Sequence, residues 1–446
     1  MIFKFTLSQL ISGVCLSAIL INFVHAGNSN QQENCLPFLS GLPNQTNMMA
    51  PPKNASSKVM TYLLPATPAT SQWGVFDSNQ APVLRINPGD TVNIETMAAS
   101  YNQVVPGTTI DQIIQMNDAV PNRGPHTLTG PIYINGAELG DVLRIHINRI
   151  IPRSYASNDA VPGKGLFPKE FTDGYVKYFY LDLKKMQMQF APGIVVPIRP
   201  FPGIVAVARQ EPGQYDSIPP GPFGGNMDLR ELTEGTTLYL PVFMKGGLLW
   251  TGDSHAGQGN GEIDLTAIET AFDEFNITID LIKQKPLTWP RIETKDAWIA
   301  VGYDKDLNKA FDILKNETIK LITEVRKTSP DGAEKMMLNT WNCPISEVVN
   351  GVQGVYCMVP KSGNIKSADL PKVDNAKFFV SYAEDADLEQ AMRKASMFML
   401  NKIVSEKKLS RIDAYTLASF AMDCRIGRPV SNMKAVHCMM AKNLWT

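Results

Sequence analysis

The sequence predicts a β-rich α+β fold, in which a β-sandwich-like body is followed by a smaller α+β domain. From about residue 80 to residue 285, short segments of alternating apolar and polar residues follow one another between Gly and Pro turns. Such alternation is typical of half-buried strands. After residue 285, segments of this kind alternate with longer ones whose apolar residues recur at the period of a helix.

Three segments of the predicted body resemble one another, because each begins with a Gly turn and continues with alternating apolar and polar residues. Repeated turn-and-strand units without helices between them indicate a β-sandwich or a barrel-like body. The segments are residues 88–95, 139–146 and 234–241.

The C-terminal third contains three predicted helices. Apolar residues fall on one face over residues 307–325 and again over residues 388–404. Ser410 is a favourable N-cap, with Asp413 three residues on, and predicts a third helix that ends near Asp423. Strands are expected at residues 276–282, 297–303 and 377–382.

The N-terminal residues predict export. Lys4 precedes an apolar run over residues 10–24, and Ala26 offers a cleavage site before Gly27, which is the order of a secretory signal peptide. An uncleaved membrane anchor is the alternative, although the run is short for one. The mature protein is expected to be secreted or periplasmic and to have no membrane segment. The predicted divisions are a signal peptide (1–26), a polar N-terminal arm (27–80), the β-sandwich-like body (81–285) and the α+β domain (286–446).

Charge and cysteine content limit the partners and the compartment. The net charge is −1, so a nucleic-acid partner, which needs a basic surface, is not expected; a small or neutral substrate fits better. Five cysteines follow residue 26, and in an oxidising compartment one or two disulfides are expected. Cys343 and Cys357 are the first candidate pair, since Pro and Gly residues lie between them; buried free thiols are the alternative.

The densest cluster of polar residues is the Gly-rich segment 252–262. Asp253 and His255 are two residues apart, so their side chains point the same way in an extended strand. A carboxylate and an imidazole that converge are ligands for a divalent metal such as zinc. Glu262 is then a candidate general base for the attacking water. The alternative is a Gly-rich hairpin in which Asp253 and His255 simply form a hydrogen-bonded pair.

Two further segments offer site residues. His126 lies in a loop before a predicted strand, and loops often carry ligands; an exposed histidine without a role is the alternative. Asn226 and Asp228 lie in the turn-rich segment 224–228 and either could reach a site, although most such stretches are simply turns. A serine nucleophile has no support, because the sequence lacks a GxSxG motif.

Several of these motifs resemble the acetamidase/formamidase family. Residues 252–262, continuing to residues 267–269, resemble the central signature of that family, and residues 224–228 resemble its Gly-Gly-Asn-x-Asp stretch. Residues 129–143 and 413–423 also match in character and order. The resemblance extends over roughly residues 80–446, and several separate motifs in the right order rarely occur by chance.

The resemblance implies hydrolysis of a formamide-like or acetamide-like substrate to a carboxylate and ammonia. It further implies a β-rich body with an α+β part, a bound divalent metal and a homodimer or higher homo-oligomer. Zinc is the expected metal and calcium the alternative. The expected site residues are Asp253, His255 and His126 for the metal, Glu262 and His255 for catalysis, and Asn226, Gln258 and Asn260 for the substrate.

Two positions depart from the family pattern. Asn260 stands where the family usually has Asp, and Ala98 stands near where it commonly has an acidic residue. Loss of carboxylates near a cation would weaken metal binding or change the metal that is held. The alternative function is therefore a secreted small-molecule-binding protein with a degenerate, non-catalytic amidase pocket. A structural envelope protein that assembles through the polar arm is a third hypothesis.

Overall fold

The computed structural model of the protein describes residues 59–338, 342–363, 370–427 and 432–446. The predicted signal peptide and most of the predicted polar arm lie outside the described residues. Lys58–Thr446 form one compact unit. No helix of the described residues is both long and apolar enough to cross a membrane.

A twelve-stranded sheet extends through both halves of the described chain. The three similar sequence segments contribute to it the strands β5 (Thr91–Ile94), β7 (Val142–Pro152) and β15 (Thr237–Pro241). Strand β18 (Phe272–Ile282) pairs with β5 and β7, and β7 pairs with β15. In spatial order its strands are β1 (Thr61–Leu64), β5 (Thr91–Ile94), β18 (Phe272–Ile282), β7 (Val142–Pro152), β15 (Thr237–Pro241), β19 (Arg291–Glu293), β20 (Ala297–Asp304), β22 (Gln353–Pro360), β21 (Cys343–Glu347), β24 (Asp423–Ile426), β25 (Lys434–Ala441) and β23 (Phe378–Asp385).

An eleven-stranded sheet packs against the first part of that sheet, and a short two-stranded sheet joins β3 (Val75–Asp77) to β13 (Gln214–Asp216). The strands of the eleven-stranded sheet are β11 (Ile194–Pro197), β10 (Gln187–Ala191), β9 (Tyr175–Asp182), β8 (Tyr155–Ala160), β17 (Ile268–Thr270), β16 (Leu249–Gly257), β12 (Phe201–Val207) and β14 (Gly224–Asn226), with β6 (Thr127–Ile134) paired to β16, β2 (Ser71–Trp73) and β4 (Leu84–Ile86).

Apolar side chains from the two large sheets form a shared core. Ile145 and Phe275 of the twelve-stranded sheet belong to the same buried cluster as Leu128, Ile204 and Trp250 of the eleven-stranded sheet. Alternation of buried and more exposed residues along β7 and β18 places Ile145 and Phe275 on the inner face of their sheet, whereas β12 is buried at every position. The predicted β-rich α+β fold with a sandwich-like body is confirmed.

The three predicted helices are present and cover the C-terminal part of the twelve-stranded sheet. Ser410 Oγ accepts the N–H of Asp413 at 3.0 Å and so begins the last helix as the sequence predicts. Gly302 of β20 lets a helix approach closely, because a Cβ there would lie 2.3 Å from the carbonyl oxygen of Ala310. The helices of this part are α3 (Leu307–Arg326), α4 (Pro330–Leu338), α5 (Leu388–Lys407), α6 (Arg411–Ala421) and a 3₁₀ turn, Lys442–Leu444.

The expectation of strands without intervening helices is wrong at one place in the body. A short turn, α1 (Ala99–Asn102), and a helix, α2 (Ile110–Asp118), lie between β5 and β6. Thr109 and Gln112 form a reciprocal capping box at the start of α2, which is a sequence signal for a helix start. The division of the chain at residue 285 stays a prediction, and the twelve-stranded sheet has strands on both sides of it.

Two disulfides join neighbouring strands of the C-terminal part. Cys343 of β21 is bonded to Cys357 of β22, as the sequence predicts. Cys424 and Cys438, which face each other on β24 and β25, form a second disulfide. These four residues are therefore not the buried free thiols of the alternative interpretation.

Candidate functional site

The candidate site lies on the eleven-stranded sheet, where β16 pairs with β12 on one side and β17 on the other. Asp253 and His255 are both on β16. His255 is directly opposite Phe201 of β12 and Glu269 of β17. Strands paired on both sides hold these side chains on a rigid support, as a preorganised site requires.

His255 contacts carboxylates through one ring nitrogen and an amide through the other. Its Nε2 lies 3.2 Å from Asp253 Oδ2 and 3.3 Å from Glu269 Oε1. Its Nδ1 lies 3.0 Å from Gln258 Oε1. Because an amide oxygen only accepts hydrogen bonds, Nδ1 carries the proton in this arrangement. The lone pair of the neutral ring is then on Nε2, between the two carboxylates.

Two more acidic residues complete the cluster. Asp228, which follows β14, has its Oδ1 3.9 Å from His255 Nδ1. The carboxylate of Glu262 lies within 4.8 Å of the ligand atoms of His255 and Glu269. Among the described residues, the cluster contains two groups of three that could hold a metal ion, and His255 belongs to both. One group adds Asp228 and Asp253 to His255, and the other adds Glu262 and Glu269.

The backbone is strained at three of these acidic residues. The φ angles of Asp228, Asp253 and Glu262 are 44°, 51° and 49°. These values lie in the left-handed region, which residues other than Gly rarely adopt. Such strain costs of the order of 1–3 kcal/mol for each residue and persists where the surrounding structure enforces it, as at functional sites.

Gly203 of β12 provides the space for the cluster. A Cβ at this position would lie 2.4 Å from Asp253 Oδ2, 2.8 Å from Asp228 Oδ1 and 2.8 Å from His255 Cε1. These separations are shorter than van der Waals contact. The carboxylates and the imidazole therefore converge over a position where only Gly fits.

The acidic groups respond to burial in two ways. Burial, together with the charges of Asp253 and Glu269 and against that of His255, raises the pKa of Asp228 to about 8. Burial and the charge of Asp228 also raise the pKa of Glu262 well above its usual range. Although burial opposes it, the adjacent His255 and His126 lower the pKa of Asp253 to about 2.

The ring of His255 is stabilised in its charged form. Burial acts against that form, but the carboxylates of Glu269 and Asp253 raise the pKa of His255 well above its usual range. Nearby opposite charges have this effect because they favour the protonated ring. In the absence of a metal, a proton on Nε2 offsets part of the negative charge of the cluster.

The donor atoms fit a divalent metal. Asp228 Oδ1, His255 Nε2 and Glu262 Oε2 are buried and, when they carry no proton, have no hydrogen-bond partner among the described residues. Buried polar atoms normally have partners, and a cation held by either group would supply one to the atoms of that group. A mixture of imidazole and carboxylate donors is typical of zinc, whereas calcium binds oxygen ligands. Gln258 would act as the outer partner that fixes the ring of a ligating histidine.

His126 lies at the edge of the cluster. Its Nδ1 is 2.8 Å from Ser217 Oγ, and its Nε2 is 3.8 Å from Asp253 Oδ1. It is buried, so the alternative of an exposed loop histidine is wrong. Whether His126 ligates a metal stays a prediction.

The three residues predicted to bind substrate lie in different surroundings. Gln258 uses its amide to contact His255 and, through Nε2, the carbonyl oxygen of Ser346 at 3.3 Å. Asn226, on β14, is buried, and its Oδ1 has no hydrogen-bond partner within the described ranges. Asn260 donates from Nδ2 to Asp423 Oδ1 at 2.7 Å and is outside both metal-capable groups. Their roles toward a substrate stay predictions.

The sequence did not single out two of the acidic residues near the cluster. Glu269 was within the quoted signature, but only its pairing with His255 across β16 and β17 brings the two side chains together. Glu347, at the end of β21, is fully buried. Burial and the charge of Asp228 raise its pKa well above the usual range. No local pattern points to Glu347, because it is 85 residues from Glu262 in sequence.

The fold and the site define a strand-rich α+β protein with a buried histidine–carboxylate centre. The model of the family described as Acetamidase/Formamidase matches residues 75–216 and 210–293. The chain belongs to the acetamidase/formamidase family.

Curated relatives and solved structures resemble the chain over different lengths. It is 25% identical to the acetamidase of Mycolicibacterium smegmatis over 219 residues, which are 35% of this chain and 54% of that protein. The chain spans 54% to 61% of the length of the curated relatives it matches.

Two crystal structures cover more of the chain. One is an acetamidase from Yersinia enterocolitica, with a TM-score of 0.62 and 28% identity, covering 69% of this chain and 94% of that one. The other is a predicted acetamidase/formamidase from Thermoanaerobacter tengcongensis, with a TM-score of 0.61 and 27% identity, covering 68% of this chain and 96% of that one.

Gly203→Ala should disrupt the cluster. The added methyl group would overlap Asp253, Asp228 and His255, and overpacking of this kind costs about 1–3 kcal/mol. We expect lower thermal stability and weaker binding of divalent metal, measured by thermal unfolding and by competition with a chelator. Gly257→Ala, on the same strand as His255, is the matched control, because its nearest neighbour, Ile268 Cδ1, would be 3.5 Å away. Equal effects of the two substitutions would contradict the close convergence at Gly203.

Proposed function

We propose that this protein is an exported, zinc-dependent amidase that hydrolyses a small aliphatic amide to a carboxylate and ammonia. One observation carries the proposal: the buried His255 Nε2 faces the carboxylates of Asp253 and Glu269 in a chain of the acetamidase/formamidase family. The named relatives, an acetamidase and formamidases, support amide hydrolysis as the reaction.

The residues have separate roles in the proposed reaction. Asp228, Asp253 and His255, which form one of the two groups that could hold a metal ion, would hold the ion, with Glu269 and His126 as further candidate ligands. A zinc ion held there would supply a Lewis acid for the amide carbonyl. The mixed nitrogen and oxygen donors favour zinc over calcium.

Glu262 is the proposed proton carrier. Its carboxyl lies next to the candidate ligands, and its pKa is raised well above the usual range by burial and by Asp228, as is common for groups that transfer protons near neutral pH. Glu262 would accept a proton from the attacking water and pass it to the amide nitrogen. The carbon–nitrogen bond then breaks, the water oxygen stays on the carboxylate, and the nitrogen leaves as ammonia.

Amide hydrolysis can be measured directly as ammonia release from formamide, acetamide and longer amides by zinc-loaded protein. We expect turnover in the wild type and a loss of several orders of magnitude in His255→Ala, as groups that act together in catalysis show. His146→Ala is the control, because His146 lies on β7 and contacts Thr237 Oγ1 at 2.9 Å. Bound metal without turnover would favour the alternative function, a small-molecule-binding protein. If the protein neither binds metal nor hydrolyses an amide, it would share the fold of the family but not its activity.

Metal binding should weaken as the pH falls. The pKa of Asp228 is about 8 in the folded protein without metal and about 3.9 in an unfolded chain. The protonation of Asp228 therefore contributes fully to the stability of the folded, metal-free protein below about pH 4, and this contribution is lost as the pH rises through 8. Zinc must displace this proton, so its affinity should fall about tenfold for each pH unit below 8 per proton displaced.

The measurement is the zinc-induced rise in unfolding temperature at pH 6 and at pH 8. We expect the larger rise at pH 8 in the wild type. Asp228→Asn, which has no titrating group at this position, should show a smaller dependence on pH. A rise that is equal or larger at pH 6 in the wild type would contradict the displacement of protons by the metal.

The proposed export is supported by the two disulfides, because disulfides persist in oxidising compartments. In protein taken from its cells with thiols blocked at lysis, four cysteines should react with an alkylating reagent only after reduction, as read by mass spectrometry. Labelling of these four before reduction would contradict export: Cys343, Cys357, Cys424 and Cys438. The homo-oligomer stays a prediction.

A further inference from the structure

We propose that the segment 346–350, which includes the last two residues of β21, positions Asp228 and His255 for the metal centre. This inference rests on the proposed function. The segment lies outside the residues matched by the family model, which end at residue 293. Two separate chains of hydrogen bonds connect it to the cluster, one through Asn350 and one through Gln258.

The first chain fixes Asp228. Asn350 Nδ2 donates to Asp228 Oδ2 at 2.5 Å, and hydrogen bonds to a carboxylate are stronger than those between neutral groups. This bond occupies one oxygen of Asp228. The other, Oδ1, has no hydrogen-bond partner in the described part of the chain and lies 3.9 Å from His255 Nδ1. Asn350 therefore selects which carboxylate oxygen is available to a cation.

The second chain fixes His255. The carbonyl oxygens of Ser346 and Asp228 accept hydrogen bonds from Gln258 Nε2 at 3.3 and 3.5 Å, and together they orient the Gln258 amide. Its Oε1 then accepts from His255 Nδ1 at 3.0 Å. This contact leaves Nε2 of the ring facing the carboxylates of Asp253 and Glu269. The partner of the second ring nitrogen sets the tautomer and orientation of a ligating histidine.

The segment is itself held in place beside the Gly-rich signature. Gly261 donates its N–H to Ser346 O at 3.0 Å and accepts the N–H of Val348 at 3.1 Å. Glu347 Oε2 accepts the N–H of Asn350 at 3.4 Å and so closes the turn that carries this residue. The segment also follows the disulfide between β21 and β22 closely. A rigid support of this kind is what a positioning residue requires.

The test compares zinc affinity, by competition with a chelator, in the wild type, Asn350→Ala and Gln258→Ala. Loss of an outer partner typically lowers metal affinity by 10- to 100-fold, and we expect weakening of that order in both variants. Excess zinc should restore much of the kcat of Asn350→Ala, because the catalytic residues remain. Asn148→Ala, which removes an exposed amide bonded to Asn276 and Thr278, should bind zinc as the wild type does.

Thermal unfolding of the metal-free variants separates a positioning role from a purely structural one. If metal-free Asn350→Ala unfolds at the same temperature as the metal-free wild type, its weaker zinc binding reflects lost positioning and not a less stable fold. Unchanged zinc affinity in Asn350→Ala would overturn the inference, as would a loss of activity that excess zinc does not restore. If the wild type binds zinc in the same experiment, either of these results would contradict the role of the segment 346–350 but not the proposed metal centre. A wild-type protein that binds no divalent ion would overturn the metal centre and, with it, this inference.

Discussion

The structure depends on how it compensates the negative charge gathered around His255. Isolated carboxylates are very unfavourable in a protein interior, so they are protonated, paired or bound to a cation. Here the adjacent imidazoles keep Asp253 ionised, whereas three carboxyls have raised pKa values that favour protonation. A divalent cation replaces protons in such a cluster, which is why metal binding and protonation are linked. The acidic residues concerned are Asp228, Asp253, Glu262, Glu269 and Glu347.

The arrangement includes backbone strain, and the sheet supports part of it. Three residues of the cluster have left-handed backbone angles, and the space above Gly203 is filled by side chains of other residues. Strands paired on both sides of β16 support the conformation of Asp253, whereas Asp228 and Glu262 lie in the segments that follow β14 and β16. The shared core of the two large sheets contains fully buried residues from β12 and β16. The packing free energy of the body thus offsets the strain of the site.

Local sequence patterns predicted the parts of the structure that local geometry determines. The spacing of two between Asp253 and His255 predicted that their side chains meet on a strand, and they do, although the left-handed φ of Asp253 was not predicted. The helical period predicted α3 and α5 in the same way. Glu269 and Asn350 were not predicted, since their positions depend on strand register and on the packing of a distant segment. Register is set by tertiary structure and leaves no local signal.

The same reasoning explains the departure at Asn260. This residue lies on the side of the signature that contacts the C-terminal part, where its N–H donates to the carbonyl oxygen of Met422 at 2.7 Å. Its side chain donates to Asp423 Oδ1 and accepts from Tyr356 at 3.2 Å. An Asp at this position would place two carboxylates 2.7 Å apart, and one of them would need a proton.

Asp423 stays ionised in this setting. Burial opposes this, but Arg230 and Arg425 lower its pKa to about 2. The amide of Asn260 therefore donates a hydrogen bond to the ionised carboxylate of Asp423. This bond joins the Gly-rich signature to the C-terminal part. Neither group that could hold a metal ion includes position 260. A carboxylate at this position would face Asp423 and not the metal-capable groups, so the presence of Asn260 is weak evidence that the pocket is degenerate.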